Sequence, residues 1–184
     1  MGTSQQQKAT SRAAIVTAAA ELFRERGLEG VSVAEIMDAA GLTHGGFPRH
    51  FPNKQALVAE ALALALEGSG KSRLISADCV DAFADDYLTK LHRDNPGKGC
   101  VFAALGSEVA RADPQARSVM SNAIHRQIEE FTVSREDGEN ELNAEALGKW
   151  ATMIGALVLA RISDSEAVSE QILTATRTYI GVSK

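Results

Sequence analysis

Apolar residues along most of this chain recur at intervals of three and four, the spacing that places them on one helical face. Ile15, Ala18, Ala19, Leu22 and Phe23 predict a first helix from near Thr10 or Ser11 to Gly27, with a polar, frayed start over Met1–Ala9. Val33, Ile36, Met37 and Ala40 predict a short second helix. Ser32 and Glu35 stand at the S-x-x-E spacing of a capping box, and Val31 and Ile36 at the positions of a hydrophobic staple. Gly41 can take the left-handed conformation that ends this helix, and Leu42 returns to the core. Thr43 then reads as the N-cap of a third helix holding Phe47 and Phe51 one turn apart. Two helices about a short turn containing Gly form a helix-turn-helix, whose second helix can enter a DNA major groove.

From an Asn53 cap the pattern continues as an Ala/Leu-rich helix. Further amphipathic helices are predicted over Asp78–Arg93, Cys100–Ala112 and from Asp113-Pro114 towards Phe131 and Val133. The first of these carries Val80, Phe83, Ala84, Tyr87, Leu88 and Leu91 on one side and stops at Asn95-Pro96-Gly97. Ser134–Glu141 (SREDGENE) reads as a charged surface loop. Two last helices run from Asn143 to about Ser163 and from Ser165 to about Ile180. Between Ala144 and Ile162 the apolar residues surround the helix, and Val168, Ile172, Ala175, Thr176 and Tyr179 form a stripe on the last one. Such helices must be covered on most sides. Gly148 and Gly155 permit close approach, either by a second copy or within one chain. The pattern predicts an all-α fold, with an N-terminal helix-turn-helix domain over 1–52 and a second helical domain over 53–184.

Composition agrees with helix: Ala and Leu dominate, and aromatic residues make up only 5% of the 184 residues. The net charge of −5 is unevenly spread. Residues 1–56 hold six bases (Lys8, Arg12, Arg24, Arg26, Arg49, Lys54) against five acids, leaving thirteen bases and nineteen acids for the remainder. A head less acidic than the body permits DNA binding without establishing it. No apolar leader or membrane-length run stands out, and two cysteines make no disulfide framework, so a cytoplasmic location without membrane association is expected.

Enzyme chemistry finds no support. The four histidines show no metal-ligand spacing, Ser107 lies in no nucleophile elbow, and no cofactor is implied. Ala65–Ser72 (ALEGSGKS) fits a permissive phosphate-loop pattern, but that loop requires a preceding strand. An Ala/Leu helix precedes it here, so GSGKS reads as a helix terminus and hinge.

The run AAGLTHGGFPRHFPNKQALVAEAL, preceded by RAAIVTAAAELFRERGLEGVSVAEI, resembles the N-terminal domain of tetracycline-repressor (TetR) family regulators over about residues 9–66. The likeness lies in the order of a helix-Gly-Leu entry, a capped second helix and the F-x-x-H-F-x-x-K ending. It implies a ligand-responsive transcriptional regulator, usually a repressor, that binds a palindromic double-stranded DNA operator. It also implies a homodimer through the two C-terminal helices and release by a small-molecule inducer.

DNA-contacting positions are expected at Ser32, Thr43, His44, Gly45, Gly46, Arg49, His50 and Lys54. Helix geometry puts His44, Gly45 and Gly46 nearest the base edges. Arg49 can reach guanine or a phosphate, and the resemblance assigns backbone contacts to His50 and Lys54. Lys8 and Arg12 can touch phosphate from the first helix, or be solvated charges on a loose arm. Pro48 departs from the family, which usually has an aromatic there. It removes a backbone donor and biases Phe47 away from α geometry, so it should distort or shorten the recognition helix. The competing reading is a helical ligand-binding or interaction protein with impaired DNA reading.

Ligand-pocket walls are expected among Phe83, Tyr87, Cys100, Phe102, Ile124, Ile128, Trp150 and Ile154, with Leu64 and Leu105 nearby. Apolar stripes of this kind are also ordinary core. The segment KGCVFAALGSEVARADPQAR resembles one in family members that answer reactive electrophiles through a cysteine. A Cys100 thiol at a helix start near Lys98 would have a lowered pKa; otherwise it is a small buried hydrophobe. Cys79 reads as core.

Overall fold

The protein is described by a computed structural model covering residues 2–67, 73–134 and 139–181. Nearly all of it is helix: α1 (Gly2–Arg26), α2 (Val33–Ala39), α3 (Lys54–Glu67), α4 (Val80–Tyr87), α5 (Lys90–Asp94), α6 (Val101–Val109), α7 (Pro114–Glu130), α8 (Ala144–Ile162) and α9 (Glu166–Ile180). A six-residue 3-10 helix, His44–Arg49, lies between α2 and α3. Among the described residues no helix is long and apolar enough to cross a membrane.

Several expectations need correction. Helix α1 begins at Gly2, so the polar start is helical rather than frayed. The stretch read as one helix over Asp78–Arg93 breaks at Leu88, whose backbone (φ −86°, ψ 60°) leaves the helical region. Thr89 then caps α5, its Oγ1 accepting from His92 N at 3.2 Å. That break turns Leu91 out to solvent while Arg93 goes in. Of the loop expected over Ser134–Glu141, Ser134 and Asn140–Glu141 are strand residues, and residues 135–138 lie outside the described residues. Here β1 (Thr132–Ser134) pairs with β2 (Asn140–Leu142) in the register Val133 to Glu141. The GSGKS hinge (residues 68–72) lies outside the described residues, and α3 is helix as far as Glu67.

Two apolar cores result. The first joins Ile15, Ala19 and Phe23 of α1 to Ile36, Met37, Phe47, Phe51, Leu57 and Leu62, and is closed by Val101, Leu105 and Met120 from the body. The second gathers Val80, Phe83, Tyr87, Cys100, Phe131, Met153, Leu157 and Leu173. Helix α6 is the wall common to both: Val101, Leu105 and Val109 face the first, while Cys100 and Ala103 face the second. Polar ties reinforce these contacts. Arg24 Nε donates to the Gly97 carbonyl at 2.7 Å, and Leu28 N donates to the Glu108 carboxylate at 2.7 Å. Gly27 has φ 82°, a left-handed turn that any side chain would strain, and a Cβ there would lie 2.8 Å from Glu108 Oε1.

Candidate nucleic-acid interface

The head is assembled from local signals. Ser32 and Glu35 form the full capping box: Ser32 Oγ accepts from Glu35 N at 3.2 Å, and Ser32 N donates to Glu35 Oε2 at 2.8 Å. The hydrogen bond from the Ser32 backbone, with the Ser32 hydroxyl and Arg26 adding to it, holds the Glu35 carboxyl below its ordinary range. Val31 and Ile36 are both buried, as a staple requires. Gly41 turns the chain at φ 70°. The element beyond this turn is not an α-helix. Pro48 has no N–H to donate, and the chain closes 3-10 turns, with Gly46 N donating to Thr43 O and His50 N to Phe47 O. Thr43 starts the turn in extended geometry but its side chain makes no capping bond, contrary to expectation. Phe47 and Phe51 stack at 5.7 Å between ring centroids and anchor the element from beneath.

A 3-10 helix has three residues per turn, so its exposed side is set in threes. Gly45 and Pro48 lie together on solvent, with His44 and Arg49 also exposed, Gly46 half-buried against Met37 and Phe47 buried. His50 is half-buried, and its Nδ1 is enclosed without a hydrogen-bond partner. Lys54, the first residue of α3, sits over the Phe23 ring and 3.9 Å from Glu29; Asn53 caps the helix through Ala56 N at 2.8 Å. The Ser32 hydroxyl is engaged with Glu35 at 2.7 Å, although the residue is exposed.

The basic residues of the head are sorted by their partners. Arg12 pairs bidentately with Glu60 and lies over the Phe51 ring, which removes it from the exposed set the sequence suggested. Arg26 pairs with Glu35 at 3.0 Å, and Arg24 is turned into the body. Lys8 and Arg49 have no carboxylate partner among the described residues. Both line an open cleft of about 600 Å³ together with Gln7, Ser11 and His50. Sequence reasoning missed Gln7, because the patternless start offered no sign of helix, and gave Ser11 only as a helix start.

In the body, the expected pocket walls separate. Phe83, Tyr87 and Cys100 are buried core, and Phe102, Ile128, Trp150 and Ile154 are half-buried. Ile124 and Leu64 instead face solvent. Phe102 and Trp150 meet edge to face at 5.3 Å and line a cavity of about 10 Å³ with Leu66, Leu74, Ala123 and Gln127. Gln127 could have been found in the sequence, since it continues the Ala116, Met120, Ala123 stripe of α7 as a lone amide. It pairs with Ile75, donating from Nε2 to the carbonyl at 2.7 Å and accepting from the amide at 3.2 Å.

Cys100 caps α6 but is fully enclosed. Burial pushes its thiol up, outweighing the Tyr87 hydroxyl and the amides of Ala103 and Phe102, so the lowered pKa expected from the helix start is not what the structure gives. The nearby His92 is neutral by geometry, since its Nε2 accepts from Cys100 N at 2.9 Å and its Nδ1–H donates to Tyr87 O at 2.7 Å. Cys79, read as core, is exposed.

The outer faces of α8 and α9 are apolar and uncovered. Gly148, Ala151, Gly155, Leu159 and Ile162 lie exposed on α8, and Val168, Ala175 and Tyr179 on α9, with Ile162 73% and Tyr179 78% exposed. Leu173 and Ile180 point inward, so the outward stripe is not the chain's own core.

Known proteins share this arrangement. Residues 15–61 match the family described as "Bacterial regulatory proteins, tetR family". The HTH-type transcriptional repressor KstR2 of Rhodococcus jostii is 40% identical over 78 residues, a match spanning 42% of this chain and only 38% of that repressor's length. The uncharacterized HTH-type transcriptional regulator MT0206 of Mycobacterium tuberculosis is 29% identical over 167 residues, covering 82% of this chain and 84% of that one. A crystal structure of a TetR transcriptional regulator from Chloroflexus aurantiacus superposes with a TM-score of 0.61 at 27% identity, covering 95% of this chain and 96% of that one. The capping box, the glycine turn and the F-x-x-H-F-x-x-K segment all lie within the matched stretch, so over its N-terminal head this chain is similar to the tetR family of bacterial regulatory proteins.

Proposed function

We propose that this chain is a cytoplasmic, ligand-responsive transcriptional repressor that binds a palindromic operator as a homodimer and is released by a small-molecule inducer. The observation that carries the reading is the pairing of two uncovered surfaces. One is the exposed His44–Arg49 element, presented by α2 and α3. The other is the apolar outer face of α8 and α9. A two-fold pair formed on the second surface presents the first twice, as a palindrome requires. Thr43, His44, Gly45, Gly46 and Arg49 meet the groove, and Ser32, His50 and Lys54 meet the flanking backbone. Gly45 and Pro48 add an apolar, closely approaching surface suited to a thymine methyl.

The inducer acts in the body, beside Phe102 and Trp150. The cavity there is about 10 Å³, room for one water at most, so a ligand must part α7 or α3 from α8 to enter. Leu66 of α3 lines that cavity, and α3 supports the head. A ligand that favours the parted arrangement therefore shifts the spacing of the two heads.

Selection of bound sequences from random duplex DNA, with salt titration and inducer screening on the selected duplex, tests the reading. A palindrome bound saturably, with affinity falling steeply as salt rises, is expected. The shortened 3-10 element favours a second reading, a helical ligand-binding or interaction protein that no longer reads DNA. No sequence enriched over the starting pool would establish that alternative.

A further inference from the structure

The cavity beside Phe102 and Trp150 sits at the seam of the two cores, since Phe102 packs against both. Both aromatic residues are half-buried, and Leu74 beside them is 42% exposed, so apolar surface is open to solvent here. The rim is cationic. Arg73 and Arg126, both exposed, contribute guanidinium groups, and no carboxylate among the described residues lines the cavity. Neither arginine has a carboxylate partner among the described residues, whereas Lys90, Arg93, Lys149 and Arg177 of the same body are all paired with acids.

The polar groups are also held in position. Arg73 Cζ lies 5.2 Å from the Phe83 ring centroid, a cation–π contact that orients the side chain without neutralising it. Arg126 follows Ala123 by three residues on α7 and adjoins Gln127, which puts it on the helix face that meets the cavity. Buried Gln127 commits one N–H and one lone pair to the Ile75 backbone and keeps a second N–H for another acceptor. Guanidinium groups match a carboxylate in plane and charge. A neutral ligand would leave both arginines unpaired, and a cation would be repelled by them.

We infer that the inducer is an organic anion with an apolar body, a carboxylic acid ionised at neutral pH. Arg73 and Arg126 hold its carboxylate at the rim, and its apolar body passes between Phe102 and Trp150. The inference rests on the ligand-responsive reading and deepens it by naming the ligand's chemistry.

Trp150 is the chain's only tryptophan, so its emission reports on this cavity directly. The full-length protein is titrated with decanoate and phenylbutyrate, and with decanol and phenylbutylamine as neutral and cationic counterparts, all below micellar concentration. At least one carboxylate should change Trp150 emission saturably, with its counterpart binding at least about tenfold more weakly. Arg73→Ala and Arg126→Ala should each weaken carboxylate binding about tenfold, and Arg126→Lys should recover part of that loss. Arg117→Ala, an exposed charge loss on α7 outside the cavity, should change nothing. The bound carboxylate should also lower affinity for the selected duplex. Carboxylates that leave Trp150 unmoved, or that bind both alanine variants as tightly as wild type, overturn the ligand assignment, while duplex binding leaves the regulator reading intact. Preference for the alcohol or the amine overturns it equally. Carboxylate binding that leaves duplex affinity unchanged overturns the inducer role. A protein that binds no duplex yet shows the arginine-dependent titration keeps the anion site and loses the regulator reading.

Discussion

Replacing Glu108 by Ala tests the physical link between head and body. Glu108 projects from α6, the wall shared by both cores, and its Oε2 accepts from the amide of buried Leu28 at 2.7 Å. That amide belongs to the turn made by Gly27 at φ 82°, where the chain leaves α1 for α2. Truncation leaves the Leu28 N–H with no protein acceptor. A hydrogen bond to a charged group contributes about 1.5–3 kcal/mol net. The site is only part-buried, and water can reach some of the vacated space, so a value around the bottom of that range, about 1–2 kcal/mol, is expected. In a chain of this size 1 kcal/mol moves the midpoint by about 2–4 °C. Glu108→Ala should therefore melt about 2–8 °C below the wild type. Glu108→Gln keeps an acceptor without the charge and should recover about half the loss. Thermal unfolding monitored by far-ultraviolet circular dichroism measures this, at one fixed protein concentration because a dimer's midpoint depends on it. An Ala variant within 1 °C of wild type would show that the bond does not anchor the head.

The outer face of α8 and α9 supplies another expectation. Ile162→Glu with Leu159→Arg should give a monomer by sedimentation and weaken operator binding by about 10²–10⁴, the advantage of a linked second site; an unchanged dimer would refute the assignment. Pro48→Tyr should change the sequence selected from random duplexes rather than abolish binding, and identical selected sequences would show that Pro48 does not shape the groove contact. Glu166 is held down to about 2 by hydrogen bonds from Lys90 and Arg93. Its folded pKa is depressed, so its contribution is full above the ordinary carboxylate range of about 4.3 and is lost as pH falls towards 2. Acid unfolding curves of Glu166→Gln should accordingly be flatter in that window than those of the wild type. Thiol labelling at neutral pH should modify exposed Cys79 first and reach buried Cys100 only when the body opens, as peptide mass mapping would show; equal rates would contradict the enclosure of Cys100.

Much of the head is legible in the chain because its signals are local. Ser32, Glu35, Gly41 and Asn53 act on backbone groups within three or four residues, and Pro48 shortens the recognition element through its own missing N–H. Contacts made at a distance are less legible. Leu88 and Leu91 fit one helical stripe, yet the helix breaks there. The Thr89 cap competes with continuation, and Arg161 donates to the carbonyls of His92 and Arg93 at 2.9 Å and 3.0 Å. Arg93 is buried because Ser169, Glu166 and Asp94 meet its guanidinium from another helix or beside it. Cys100 shows the same divide. Its place at a helix start is readable, whereas the enclosure that raises its pKa depends on Tyr87 and the second core. For the candidate interface, residue types indicated Arg49 and His50, but only the partners of the other bases separate Lys8 from Arg12.

The most direct measurement is the stoichiometry and salt dependence of the complex with the selected palindromic duplex, by sedimentation equilibrium and fluorescence anisotropy. The account predicts an even number of chains per duplex, half-sites one helical turn or a multiple apart, and a steep linear loss of log affinity with log salt. A single chain per duplex, or binding that salt does not weaken, would contradict it.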